Sequence, residues 1–128
     1  MNQKELIRIA KKRREKSFAP FSKYTVGASV ETEDGSIIGG CNVESASYGL
    51  TCCAERITLY NAVSQGFSKF KAMAVASENG GFPCGACRQV IWELCGDIPI
   101  LIINNENKIR ETSSQTLLPD AFDKDKLI

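Results

Sequence analysis

Histidine is absent from all 128 residues. This gap removes every Ser–His and Cys–His catalytic arrangement, and it leaves thiolates, with at most a carboxylate, to build any transition-metal site. An excess of charge is missing too. The 16 basic and 15 acidic residues leave a net charge of +1. A protein that grips polynucleotide phosphates carries a basic surplus, so no nucleic-acid partner is expected and a small or neutral ligand is favoured. No apolar run approaches the ~20 residues that span a bilayer. The opening stretch "MNQKELIRIAKKRREK" has no signal-peptide core, so the chain is read as cytoplasmic, with no membrane partner. Repeats, low-complexity tracts and linkers are also lacking. A length of 128 residues with 43% apolar content suits one domain, residues 1–128, around one core.

What is present is cysteine, six of them. In a reducing compartment these are expected to be metal ligands, catalytic groups or buried thiols rather than disulfides. The pattern around them predicts a helix over 3–17, with Asn2 and Glu5 as a capping box and Leu6, Ile7 and Ala10 on its apolar face. "KKRR" at 11–14 reads as a solvated helix face. Strands are expected at 25–32 and 36–43, joined through Asp34-Gly35, a strong hairpin signal. A second helix follows over about 53–65, ended by Gly66. A buried strand at 71–76 leads through the loop "SENGGF" to a third helix over about 84–95. That helix sets Ala86, Val90, Ile91 and Leu94 on one side. A buried strand at 98–103, an edge strand at 108–112 and a turn or short helix complete the chain. Buried strands alternating with helices predict an α/β protein with one sheet covered on both faces.

Cys84 and Cys87 form C-x-x-C at the start of the third helix, where free N–H groups and the helix dipole favour thiolates. Cys53 occupies a similar place on the second helix. Helices that follow adjacent parallel strands start at the same sheet edge, so the three thiolates can converge on one zinc ion. Three ligands leave the fourth tetrahedral position for water. Glu55, in the same first turn, can take a proton from that water. Arg56 can offset the surplus thiolate charge by donating to sulfur. Cys41, Cys52 and Cys95 read as buried small residues, with Cys52 the alternative to Cys53 as ligand. By itself, C-x-x-C also fits a redox motif or half of a structural zinc site.

"CNVESASYGLTCCAER" (41–56) followed by "PCGACRQ" (83–89) resembles the small homotetrameric zinc-dependent cytidine deaminases. "APFSKYTVGA" (19–28) and "LLPDAF" (117–122) extend the resemblance over almost the whole chain. It implies a three-layer α/β/α fold of that family, with a mixed sheet of about five strands and one zinc per chain. It implies hydrolytic deamination of cytidine and 2'-deoxycytidine in pyrimidine salvage, with water activated on the metal attacking C4 and Glu55 as proton shuttle. By the same resemblance, Asn42 and Glu44 hold the ribose hydroxyls, Tyr24 lies near the nucleoside and the backbone at Ala54 binds the base edge. Tyr48 and Phe122 approach a neighbouring subunit's site in a homotetramer. The rivals are a deaminase of another cytosine nucleoside such as blasticidin S, a non-catalytic zinc module, and a thiol redox protein.

Overall fold

The turn at Asp34-Gly35 organises the first half of the sheet. Gly35 sits at φ +91°, in the left-handed region where a side chain is strained. The Asp34 carboxylate accepts from Thr32 Oγ1 at 2.6 Å and Ser36 N at 3.0 Å. This closes a hairpin between β1 (Val26–Thr32) and β2 (Ile37–Cys41). The computed structural model describes residues 1–127 and adds β3 (Phe70–Ser77), β4 (Pro99–Ile103) and β5 (Ile109–Ser113) in the order β2-β1-β3-β4-β5. β1 is antiparallel to both β2 and β3, β3 and β4 are parallel, and β5 is antiparallel to β4.

Alternate residues of β3 point to opposite faces, as strand geometry requires. Ala72, Ala74 and Ala76 meet α1 (Gln3–Arg14) through Leu6 and Ala10. Met73 and Val75 meet the other helical layer, formed by α2 (Ala54–Ser64), α3 (Gly85–Cys95) and α4 (Ser114–Leu117), through Leu59, Ala62, Ile91 and Leu117. The layers are therefore α/β/α. α1 lies close on the sheet because β1 offers a glycine: a Cβ on Gly27 would stand 2.0 Å from the Ala10 carbonyl oxygen.

Several expectations need correction. The helices bearing the cysteines do not follow adjacent strands, since β1 lies between β2 and β3. The thiols still converge, because two antiparallel steps leave β2, β3 and β4 running the same way, so α2 and α3 start at one sheet edge. The first helix ends at Arg14 rather than 17, and its basic run is not simply solvated. Arg14 Nε donates to the Thr25 carbonyl and hydroxyl at 3.1 and 3.0 Å, its Nη1 reaches Asn105, and Lys11 reaches Asn107. Ala86 is exposed; Cys87 and Ile91, one turn apart, take the inward face and rotate Ala86 outward. The capping box is half formed: Asn2 accepts from Glu5 N at 3.4 Å, while the Glu5 carboxylate turns to Arg8 at 2.9 Å. Among the described residues, no helix is long and apolar enough to cross a membrane.

Candidate active site

Cys53 and Cys84 are the residues immediately before α2 and α3, both with extended backbone, and Cys87 lies in the first turn of α3. Their sulfurs all lie within 4.8 Å of one another, and Cys53 Sγ and Cys84 Sγ are 3.8 Å apart. Tetrahedral zinc with metal–sulfur bonds of about 2.3 Å holds its sulfurs about 3.8 Å from each other. The three thiols therefore fit one zinc ion. Cys52 Sγ is outside this cluster, so the alternative ligand assignment has no geometric support. All six cysteines are free. Cys41, Cys52 and Cys95 are half-buried rather than buried, and burial pushes the Cys95 thiol up to about 12.

The electrostatics favour charge on the Cys53 sulfur. A hydrogen bond from the Cys87 thiol pulls Cys53 down to about 5, against the opposing effect of burial and with further help from Arg56. Cys87 is pushed up, first by holding that shared proton and then by its own burial. Arg56 Nη2 donates to Cys53 Sγ at 3.6 Å. Arg56 Nε is buried without a hydrogen-bond partner, a donor left over beside the thiol cluster. Glu55 is 5% exposed. Burial pushes its carboxyl up to about 7, reinforced by the Cys53 charge and opposed by Arg56.

The cluster opens onto a cavity of about 270 Å³. Tyr24, Asn42, Glu44, Ala54 and Glu55 all line it, together with Cys53 and Cys84. Asn42 is largely engaged by its own chain. Its Oδ1 accepts from Ser17 Oγ and from Val26 N at 3.0 Å, and its Nδ2 donates to the Tyr24 carbonyl at 2.8 Å. Glu44 accepts from Ser22 Oγ and from the backbone N–H groups of Phe21 and Ser22 at 3.0 and 3.1 Å. These bonds, the Ser22 hydroxyl first, hold its carboxyl below the usual range. Tyr24 Oη donates to Asn79 Oδ1 at 2.7 Å and ties the loop after β3 to the opposite wall.

Two of the expected residues do not reach this cavity within one chain. Tyr48 is 79% exposed and meets Phe21 edge-on with centroids 6.3 Å apart. Phe122 is 58% exposed. Conversely, the cavity wall includes Phe82, Thr51 and Gly81, which sequence reasoning passed over. Phe82 had a signal, an aromatic residue directly before "PCGAC". Its ring packs under the Arg110 guanidinium at 4.8 Å, a contact no local pattern announces.

Comparison with known proteins agrees with this geometry. Residues 1–102 match the family model described as the cytidine and deoxycytidylate deaminase zinc-binding region. The chain is 47% identical over 130 aligned residues to a cytidine deaminase of Sporosarcina psychrophila, covering 99% of this chain and 96% of that one. It is 44% identical to a cytidine deaminase of Halalkalibacterium halodurans, with 95% of each covered. The crystal structure of cytidine deaminase from Burkholderia pseudomallei superposes with a TM-score of 0.90 at 47% identity, covering 95% of this chain and all of the other. With three thiols spaced for zinc at paired helix starts, and a match that runs through both of them, the chain belongs to the cytidine and deoxycytidylate deaminase family.

Proposed function

We propose that this chain, folded as a single domain, hydrolyses cytidine and 2'-deoxycytidine to uridine and 2'-deoxyuridine plus ammonia, in cytoplasmic pyrimidine salvage. The observation that carries the reading is a buried carboxyl, Glu55, beside a zinc-compatible three-thiol cluster on the floor of one cavity. Cys53, Cys84 and Cys87 hold the ion. The chemistry zinc supplies when bound is Lewis acidity toward a water molecule. Glu55 accepts the proton of the attacking water and hands it to N3 of the base, which makes C4 electrophilic. Glu55 then takes the second proton, from the new C4 hydroxyl, and delivers it to the departing amine as the C4–N bond breaks and C4=O forms. Burial suits Glu55 to both directions of transfer, since a carboxyl with its pKa near 7 is poised to gain and lose a proton at neutral pH. Arg56 offsets the surplus thiolate charge, and its unpartnered Nε supports that role.

The substrate walls follow the same logic. Glu44, ionised and pinned by the 20–22 turn, accepts from the ribose hydroxyls, and Asn42 has one Nδ2 hydrogen left to offer. Tyr24 flanks the nucleoside, and the Ala54 backbone meets the base edge. Tyr48 and Phe122 complete the site from neighbouring subunits of a homotetramer. Their exposure, and a single-chain cavity below the roughly 300–1,000 Å³ of typical ligand pockets, support this arrangement. The test is direct: incubate the purified zinc-loaded protein with cytidine and deoxycytidine and follow the cytosine absorbance band. The band should decay as ammonia appears. A stable band with full zinc content would overturn the reading, leaving a deaminase of another cytosine nucleoside or, if a wider nucleoside panel also stays unchanged, a non-catalytic zinc module.

A further inference from the structure

α3 has two tasks on two faces. Its start presents Cys84 and Cys87 to the thiol cluster. Its outer strip grips the C-terminal segment. Arg88 Nη1 donates to the Leu117 carbonyl at 3.0 Å, Gln89 Nε2 donates to the Phe122 carbonyl at 2.7 Å, and Trp92 Nε1 donates to Asp123 Oδ2 at 2.9 Å. Residues 88 and 92 are one turn apart and 89 is beside them, so the three donors form one ridge. Asp123 is a good acceptor. It also receives Asp125 N at 3.0 Å and Lys126 Nζ at 3.4 Å, and a hydrogen bond to an ionised carboxylate is stronger than a neutral one.

The contrast lies in what is held and what is left out. Segments near a chain end are usually loose unless tied down. Here the segment is tied at the backbone carbonyls of 117 and 122 and at the Asp123 carboxylate, yet the Phe122 ring remains 58% exposed. An apolar ring held out on a fixed backbone is presented to something outside its own chain. The tie with the side chain best suited to hold a direction is Trp92, a rigid indole with a single donor aimed at one carboxylate oxygen.

We infer that Trp92 is a positioning residue for Phe122: by fixing Asp123 it sets the angle at which the Phe122 ring is presented to the base in a neighbouring subunit. This rests on the reading of Phe122 given under Proposed function. It gives a residue remote from the cavity a defined influence on substrate binding, exerted through one hydrogen bond and one backbone residue.

A double-mutant cycle on the zinc-loaded assembled enzyme tests it. Trp92→Phe keeps the aromatic bulk and removes the donor. KM for cytidine should rise about three- to tenfold, the scale of one lost hydrogen bond, with kcat and zinc content unchanged. Asp123→Ala cuts the same bond from the acceptor side, should reproduce the effect, and covers the case in which the tryptophan variant folds poorly. Asp123→Asn keeps one acceptor oxygen, a neutral one, in place of two, and should raise KM by less than Asp123→Ala. Phe122→Ala should raise KM by itself, and adding Trp92→Phe to it should change KM no further. Three results would overturn the inference: Phe122→Ala raising KM while Trp92→Phe and Asp123→Ala do not; effects that multiply in the double variant; or a loss of kcat and zinc at constant KM. If Phe122→Ala alone leaves KM unchanged, the reading of Phe122 as part of a neighbour's site fails, and the role of Trp92 fails with it; that single variant separates the two failures.

Discussion

Glu55 is where the chemistry of this site is most exposed to test. Its carboxyl is buried beside the thiol cluster, and a glutamine there keeps the volume while removing the titrating oxygen. Glu55→Gln should retain zinc and lose at least ~10²-fold in turnover, the scale of a missing general acid–base; single-turnover kinetics with parallel metal analysis reads both. Arg56 makes a separable prediction. One guanidinium nitrogen already donates to Cys53 Sγ, and another is buried and unpartnered. A lysine can supply the charge but not the planar fork. Arg56→Lys should therefore weaken zinc retention against a chelator by about 10- to 100-fold, as lost support of metal ligands typically does. Retention equal to wild type would show that charge alone suffices.

At the scale of elements, local chemistry decided what the sequence could disclose. The Asp34-Gly35 hairpin and the cysteines at two helix starts are written in residues within a turn of each other, and the structure has both. The strand order is not local. Nothing in residues 26–41 says that β1 will stand between β2 and β3, because that placement depends on which faces α1 and α2 cover. Arg14 shows the same limit: its partners Thr25 and Asn105 are distant in sequence, so the basic run looked merely solvated. Asn42 and Phe82 mark the boundary within the site. That Asn42 would spend most of its amide on its own chain, and that Phe82 would form cavity wall against Arg110, follow from tertiary contacts alone. The docking of α1 gives a stability prediction. In Gly27→Ala the new methyl would meet backbone atoms of Ala10 and Arg14 at 2.0 and 2.3 Å, and backbone cannot rotate aside. The variant should lose at least about 3 kcal/mol, read as a lowered denaturation midpoint. A midpoint within error of wild type would mean that α1 docks less closely than described.

The whole molecule raises the question of completeness. One chain supplies the thiol cluster, the carboxyl and a cavity of about 270 Å³, while Tyr48 and Phe122 stand exposed beyond it. If sites are shared, two defective chains can repair each other. Mixing Glu55→Gln chains with Phe122→Ala chains should yield assemblies in which an intact Glu55 meets a neighbour's intact Phe122, and activity with low KM should return on subunit exchange. A mixture with proven exchange and no recovery would confine each site to one chain.

The central claim, that three thiols and no more seat the zinc of a catalytic site, is met most directly by zinc K-edge absorption on the purified protein. It predicts one zinc per chain with three sulfur neighbours at about 2.3 Å and one lighter neighbour. A shell of four sulfurs, with Cys52 drawn in, would describe a closed structural site and contradict the account.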